Sequence, residues 1–247
     1  MTGLVLELQE RAARALPAER VEQAGGWWLR YAPGCSWWVG TVLPHGDGDL
    51  ARAEAFYAGL GATARFQVSP AGPPWLDPVL AERGYERGGT MSLRVAPTER
   101  VAALPGANVL VDDGPTRAWF DVWHAVHDGA PGEWDLLGRV TRPSGFARLV
   151  VGGEVVAVGR AVADAGWAGV FGMATLPGAR GHGAGTAVLA ALAGWAAARG
   201  VGRMYLQVER DNGPASRLYD RAGFRELCGY HYRGAPVTPA GSAARGG

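Results

Sequence analysis

One stretch of the sequence decides the fold: Thr175-Leu176-Pro177-Gly178-Ala179-Arg180-Gly181-His182-Gly183-Ala184-Gly185-Thr186. It stands between segment 167–175, whose residues favour a strand, and segment 186–199, whose apolar residues recur with helical spacing. Glycines at such a junction point several backbone N–H groups at one place, and the helix dipole adds positive charge there. The junction is therefore a candidate phosphate site. In a chain with 39 glycines, a plain glycine-rich turn is the alternative.

Two common phosphate motifs do not fit this stretch. A P-loop needs a lysine before Ser or Thr, and the chain contains no lysine. A dinucleotide fingerprint needs a third glycine, but the two possible registers place Thr186 or Val188 there. What remains is Arg-x-x-Gly-x-Gly over residues 180–185, in which an arginine and backbone amides share a pyrophosphate without metal.

Composition narrows the class of protein. A chain of 247 residues can form one large domain or two small ones, and 48% hydrophobic with 19% charged residues is typical of soluble globular proteins. A net charge of +1 without a basic stripe argues against a nucleic-acid partner. The longest apolar run, 187–198, is too short to cross a bilayer, so we expect no membrane association. Cys35 and Cys228 make no metal spacing with any histidine, and we expect reduced thiols in a cytoplasmic protein without metal.

Periodicity predicts alternating helices and strands. Helices are predicted over 3–16, 50–60, 76–83, 115–127, 133–140, 186–199 and 214–221. Strands are predicted over 27–32, 37–42, 64–69, 85–95, 147–151, 155–162, 167–175, 203–209 and 224–233.

The sequence contains one internal echo. Segment 218–225 can be laid over segment 79–86, because each has a helix end, a glycine stop, an aromatic residue and then a strand. Leu80 then falls at the position of Tyr219. A pattern this short can arise by chance; if it is real, the chain holds two copies of one fold in tandem.

The second half of the chain resembles the GNAT superfamily of N-acetyltransferases. Its acetyl-CoA motif is matched by Arg180 to Gly185, which follow a strand and Pro177. A second family signature is matched, in order and at family spacing, by Asn212, Ala215, Leu218-Tyr219 and Gly223-Phe224. The resemblance covers roughly Asn108 to Arg233.

The resemblance implies a fold and a domain plan. The expected fold class is α/β, a mixed, mostly antiparallel twisted sheet with flanking helices, present as two tandem copies. Residues 1–96 would be a degenerate GNAT-like domain, as in tandem proteins of the mycothiol-synthase type. A linker would span 97–107, the catalytic GNAT domain 108–233, and a disordered tail 234–247.

The resemblance also implies a mechanism in which an amine attacks the thioester of acetyl-CoA directly, without an acyl-enzyme. The strand before the phosphate turn would splay from its neighbour and bind the pantetheine arm. Tyr219 would protonate the departing thiolate, and Glu209 is the first candidate for a base acting through water, with Asp121 and Glu133 weaker. His124 and His127 could face the same groove. The expected cofactor-binding residues are Met173, Ala174, Thr175, Arg180, Gly181, His182, Gly183, Ala184, Gly185, Thr186 and Asn212.

Other interpretations of these residues and of the function remain open. Tyr219 could be a core aromatic residue, Asn212 a helix cap, and Glu209 a solvated strand end. The expected activity is acetylation of a primary amine on a small molecule by a monomer or homodimer. The alternatives are acetylation of a peptide or protein at its N-terminus or a side chain, and a non-catalytic acyl-CoA-binding regulatory protein.

Overall fold

The computed structural model describes residues 2–106 and 108–236. Its helices are α1 Thr2–Ala15, α2 Leu50–Gly59, α3 Leu76–Glu82, α4 Thr98–Ala102, α5 Arg117–His127, α6 Glu133–Gly138, α7 Ala184–Ala197 and α8 Gly213–Ala222. Its strands are β1 Arg20–Ala24, β2 Trp27–Tyr31, β3 Leu43–Pro44, β4 Arg65–Val68, β5 Glu86–Pro97, β6 Val109–Asp112, β7 Ser144–Val151, β8 Glu154–Asp164, β9 Trp167–Thr175, β10 Arg203–Glu209 and β11 Arg225–Gly234. Within these described residues, no helix is long and apolar enough to cross a membrane.

The strands of the described residues form two sheets. The small sheet has the order β1-β2-β3, and the large one has eight strands in the order β4-β11-β5-β10-β9-β8-β7-β6. In the large sheet β9 and β10 run parallel, and the other neighbours are antiparallel. The prediction of a mixed, mostly antiparallel sheet with flanking helices is therefore confirmed.

Helices cover both faces of the large sheet. Side chains that are adjacent in a strand point to opposite faces. In β8, Ala157 packs in the cluster that contains α7, whereas Val158 packs in the cluster that contains α5. The predicted apolar stripe of α7 is confirmed, since its five members are all buried: Val188, Leu189, Leu192, Trp195 and Ala196.

The last strand of each half pairs with strands of the other half. β5 lies between β10 and β11, and β11 lies between β5 and β4. The boundary predicted at residue 97 therefore separates strands that pair in one sheet, and the predicted linker contains α4, whose buried Val101 packs with α7. The division of the chain into domains stays a prediction. Ala107 of that linker and residues 237–247 of the predicted tail lie outside the described residues.

The two echo segments have the same local structure. Gly84 after α3 and Gly223 after α8 both have left-handed φ, +80° and +92°. In each, the following aromatic N–H donates to a carbonyl near the helix end: Tyr85 to Leu80 and Phe224 to Tyr219, both at 2.9 Å. This repetition supports the prediction of two copies.

One predicted strand is wrong. Residues 37–42 begin as a 3₁₀ turn at Trp37–Gly40 rather than a strand. The Val39 N–H donates to the Ser36 carbonyl, and the Thr41 hydroxyl donates to the Trp38 carbonyl. These local bonds curl the segment, and both tryptophans stay 40% exposed. Aromatic residues favour strands only where a neighbouring strand offers them a surface to pack on.

We expect Leu93→Ala to destabilise the protein by about 2–5 kcal/mol, because it removes a fully buried side chain from the strand between β10 and β11. Urea unfolding would measure the loss. Val151→Ala, at a position 58% exposed, is the control and should change the free energy of unfolding by less than about 0.5 kcal/mol. Equal effects of the two substitutions would contradict the interior position of β5.

Candidate active site

The parallel strands β9 and β10 part before they end. Their paired residues run from Trp167 with Arg203 to Val170 with Leu206. Past that point β9 continues to Thr175 and β10 to Glu209 without pairing with each other. A shift of register against β8 falls between the pairs Phe171–Arg160 and Ala174–Val158, and Gly172 there has a φ of +58°. Such a bulge bends a strand, and here it directs the end of β9 away from β10.

The glycine-rich turn that follows β9 leads into the N-terminus of α7. Gly181 and Gly183 have φ of +81° and +82°, a conformation that side chains rarely adopt. No side chain caps α7. The helical hydrogen bonds begin with the Ala187 N–H, which donates to the Gly183 carbonyl. The amides of Ala184, Gly185 and Thr186 therefore have no carbonyl partner within the helix. Free amides at a helix N-terminus form an anion site.

The remaining residues of the turn frame these amides. Arg180 is exposed, and its Nε donates to the Thr175 carbonyl at 3.0 Å, which ties the turn to the end of β9. His182 is also exposed. Gly185 faces α8, since a Cβ there would lie 3.3 Å from Leu218. The structure thus brings the predicted residues 180–186 to one surface beside the diverging strands.

A cavity of about 330 Å³ opens where β9 and β10 diverge. It takes walls from β9, β10, α5, α6 and α8, and from the N-terminal half of the chain. Its predicted members are Met173, Glu209, Asn212 and Tyr219, and of the weaker candidates it includes Glu133 and His127. Asp121 and His124 do not line it, and both are exposed.

Tyr219 is positioned by α8 and lines the cavity. It is 7% exposed, and its ring meets that of Phe224 edge-on at 5.8 Å between centroids. Burial raises the pKa of Tyr219 to about 12, although nearby Arg94 lowers it. The hydroxyl therefore carries its proton throughout the neutral range, as a proton donor must.

Asn212 caps α8. Its side-chain Oδ1 accepts from the Ala215 N–H at 3.1 Å, and the residue also lines the cavity. The capping interpretation of Asn212 is confirmed, while contact with a cofactor stays a prediction.

The two carboxylates at the cavity differ in surroundings. Glu209 ends β10 opposite Met91 of β5 and is exposed. Glu133 is buried at the start of α6, and its Oε1 accepts from the Ser36 N–H at 2.6 Å. Glu209 is therefore open to solvent, whereas Glu133 also holds a loop of the N-terminal half.

His127 lies at the end of α5, with its Nε2 3.2 Å from the Met173 carbonyl. Desolvation lowers the pKa of His127, partly offset by the Met173 carbonyl and by the charges of Glu133 and Glu209. The ring is therefore mostly neutral at pH 7. A neutral ring that donates from Nε2 to the carbonyl leaves Nδ1 as an acceptor.

Sequence reasoning missed several cavity residues. Leu16 and Met91 come from the N-terminal half, and no local pattern brings them to β9. Arg160 also lines the cavity and is 2% exposed. It had a visible signal, because it is the one charged residue in segment 155–163, an otherwise apolar strand.

A cavity between diverging parallel strands that holds a buried tyrosine, and a helix N-terminus with free amides after the first of these strands, point to a class of protein, the acyl-CoA-dependent N-acyltransferases. Residues 111–224 of the chain match the model of the acetyltransferase (GNAT) family. The match includes the glycine-rich turn, α7 and Tyr219.

Known proteins resemble the chain over nearly its whole length. It is 28% identical over 242 residues to the uncharacterized N-acetyltransferase YobR of Bacillus subtilis, covering 93% of this chain and 98% of that protein. A GCN5-related N-acetyltransferase from Kribbella flavida superposes with a TM-score of 0.73 at 18% identity, over 96% of both chains. A tandem GNAT protein from the clavulanic acid biosynthesis pathway superposes with a TM-score of 0.65 at 14% identity, over 97% of this chain and 89% of that one. Both superpositions show the shared fold.

We expect Asn212→Ala to lower the free energy of unfolding by about 1 kcal/mol, because it removes the acceptor that caps α8. Asn212→Asp keeps an acceptor at the same place and should retain most of the stability. Thermal unfolding of the three proteins would show it; an equal loss in both variants would contradict a capping role.

Proposed function

We propose that this protein transfers an acetyl group from acetyl-CoA to a primary amine of a small molecule, by direct attack of the amine. The observation that carries the proposal is the divergence of β9 and β10 beside the free amides of α7, with Tyr219 in the cavity between them. When bound, acetyl-CoA supplies the acetyl group as a reactive thioester.

The residues at this end of the sheet fit the chemistry of acetyl-CoA. The amides of Ala184 to Thr186 and the exposed Arg180 would hold its pyrophosphate, since they offer donors and positive charge without metal. The free edge of β9, from Met173 to Thr175, would pair with the amides of the pantetheine arm as a neighbouring strand would.

Two side chains would handle the protons. The amine nitrogen bonds to the acetyl carbon as the carbon–sulfur bond breaks, so one proton must leave the nitrogen and one must reach the sulfur. Tyr219 holds a proton at its hydroxyl for the departing thiolate. Glu209 would accept the amine proton through water, because it is exposed at the rim of the same cavity.

The cysteines do not favour an acyl-enzyme. A thiol acts as a nucleophile only as the thiolate. Burial raises the pKa of Cys228 to about 11, and burial together with the charge of Glu133 raises that of Cys35. Neither residue lines the cavity. Direct attack by the amine therefore suits this chain better than a covalent intermediate on cysteine.

The shape of the cavity favours a small acceptor over a protein chain. Four tryptophans line the cavity, Trp37 and Trp38 of the N-terminal half and Trp119 and Trp123 of α5, and its volume is about 330 Å³. Pockets of this size and apolar character suit small molecules. A peptide N-terminus is the second candidate acceptor. A binding-only role is disfavoured, because it would not require Tyr219 in the cavity.

We expect acetyl-CoA to bind the wild-type protein in calorimetry, and Gly183→Trp to weaken binding by at least about tenfold. A Cβ at Gly183 would meet no protein atom within 4 Å, so there is room for a side chain that would occupy the space beside the α7 amides. Gly166→Trp is the matched control: its φ is +79°, against +82° for Gly183, but it lies at the other end of β9. Failure of the wild type to bind would refute the proposed function.

We expect Tyr219→Phe to lower kcat about 100-fold and leave acetyl-CoA binding unchanged, because the phenol supplies only a proton. The substitution preserves volume, so folding should be retained. Tyr205→Phe, in a buried residue that does not line the cavity, serves as control. Full activity of Tyr219→Phe with any accepted amine would show that the proton comes from elsewhere.

A further inference from the structure

Arg160 is a buried charge that the proposed reaction does not use. It lies in β8 on the face covered by α5, and its side chain lines the cavity. We propose that Arg160 binds a carboxylate of the acceptor, so that the amine substrate is an amino acid with an apolar side chain. This inference rests on the proposed function and names the class of its acceptor.

Among the described residues, none of the direct contacts of Arg160 is with a carboxylate, although Glu133 lies near enough to raise its pKa. Nη2 donates to the Ala15 carbonyl at the end of α1, at 2.9 Å. The guanidinium carbon lies 5.3 Å from the ring centroid of Phe171 and 5.9 Å from that of Phe146. Within residues 2–106 and 108–236, Nη1 has no hydrogen-bond partner, and no carboxylate lies within ion-pair distance.

A buried charge in this state favours an anionic ligand. Burial lowers the pKa of Arg160 to about 10, although Tyr205 and Glu133 raise it, so the guanidinium stays charged at neutral pH. An isolated charge that is removed from water raises the free energy of the protein unless a counter-charge reaches it. A carboxylate matches the planar fork of a guanidinium and supplies that counter-charge.

The rest of the cavity suits a zwitterion. Glu133, also buried, lines the same cavity and offers negative charge to the ammonium group that accompanies a carboxylate in a free amino acid. Other residues that line the cavity are aromatic, among them Trp37, Trp119 and Phe171. Such walls favour an apolar side chain. A peptide N-terminus has an amide where the carboxylate would be, and it leaves Arg160 unpaired.

The test uses matched acceptors on the wild-type protein. Each common amino acid is assayed beside its amide and its decarboxylated amine, with acetyl-CoA and detection of the free thiol. L-phenylalanine, L-phenylalanine amide and 2-phenylethylamine form one such set. We expect turnover of apolar amino acids, with KM at least about tenfold lower than for the two neutral partners.

A variant that lacks the charge of Arg160 tests whether this residue causes the preference for amino acids over neutral amines. Arg160→Gln should raise KM for the amino acid at least about tenfold and leave KM for 2-phenylethylamine unchanged, while Arg160→Lys should restore part of the difference. Arg148→Gln is the control. Arg148 lies on β7, forms an ion pair with Asp112 of β6 and does not line the cavity. The wild-type comparison stands by itself if Arg160→Gln fails to fold.

The outcomes separate the inference from the proposed function. Equal turnover of amino acids and their neutral partners would overturn the carboxylate site and leave N-acetylation intact. Turnover of amides in preference to acids would overturn it in favour of peptide N-termini. Binding of acetyl-CoA without turnover of any amino acid would also overturn it, whereas absence of acetyl-CoA binding would refute the proposed function itself.

Discussion

The structure depends on the backbone hydrogen bonds that β5 and β11 make with strands of the opposite half. β5 pairs with β10 on one side, and β11 pairs with β4 at the other. We call β5 and β11 the exchanged strands, because each pairs with a strand of the opposite half. They also pair antiparallel with each other, from Arg225–Val95 to Gly234–Glu86. In the internal echo, Glu86 corresponds to Arg225, and continuing the same alignment makes Val95 correspond to Gly234. Each end pair therefore joins the same two corresponding positions, with the two halves interchanged. The exchange joins both halves in one sheet.

The pairing of β5 with β10 also explains how a gap can open between β9 and β10 while the rest of the sheet stays paired. Because β5 pairs along the whole of β10, that strand stays fixed from Arg203 to Glu209. The end of β9 is free to part from the other edge of β10, because β8 pairs with the far edge of β9 and α5 packs against its face. The N-terminal half then reaches the gap, since the end of α1 contacts Arg160 and the 3₁₀ turn brings Trp37.

The sequence predicted the parts of the site that local chemistry specifies. Glycines at 181 and 183, the α7 stripe and the Leu-Tyr and Gly-Phe pairs are short-range patterns, and the elements that they define were predicted closely. Strand propensity predicts a strand at Trp37, because propensity takes no account of the local hydrogen bonds that curl this segment into a turn. The roles of Arg160 and the exchange of β5 depend on contacts between distant segments, such as Ala15 with Arg160, which no local window contains.

The exchange of β5 has a consequence for protein synthesis. β5 leaves the ribosome well before β10 and β11 are made, and during that interval both of its edges lack their final partners. Unpaired edges of nascent strands are sites of aggregation and of pairing with other chains. A chain that stops short of residue 225 would leave β4 and one edge of β5 in that state permanently, so premature termination would yield an aggregation-prone product rather than a smaller working enzyme.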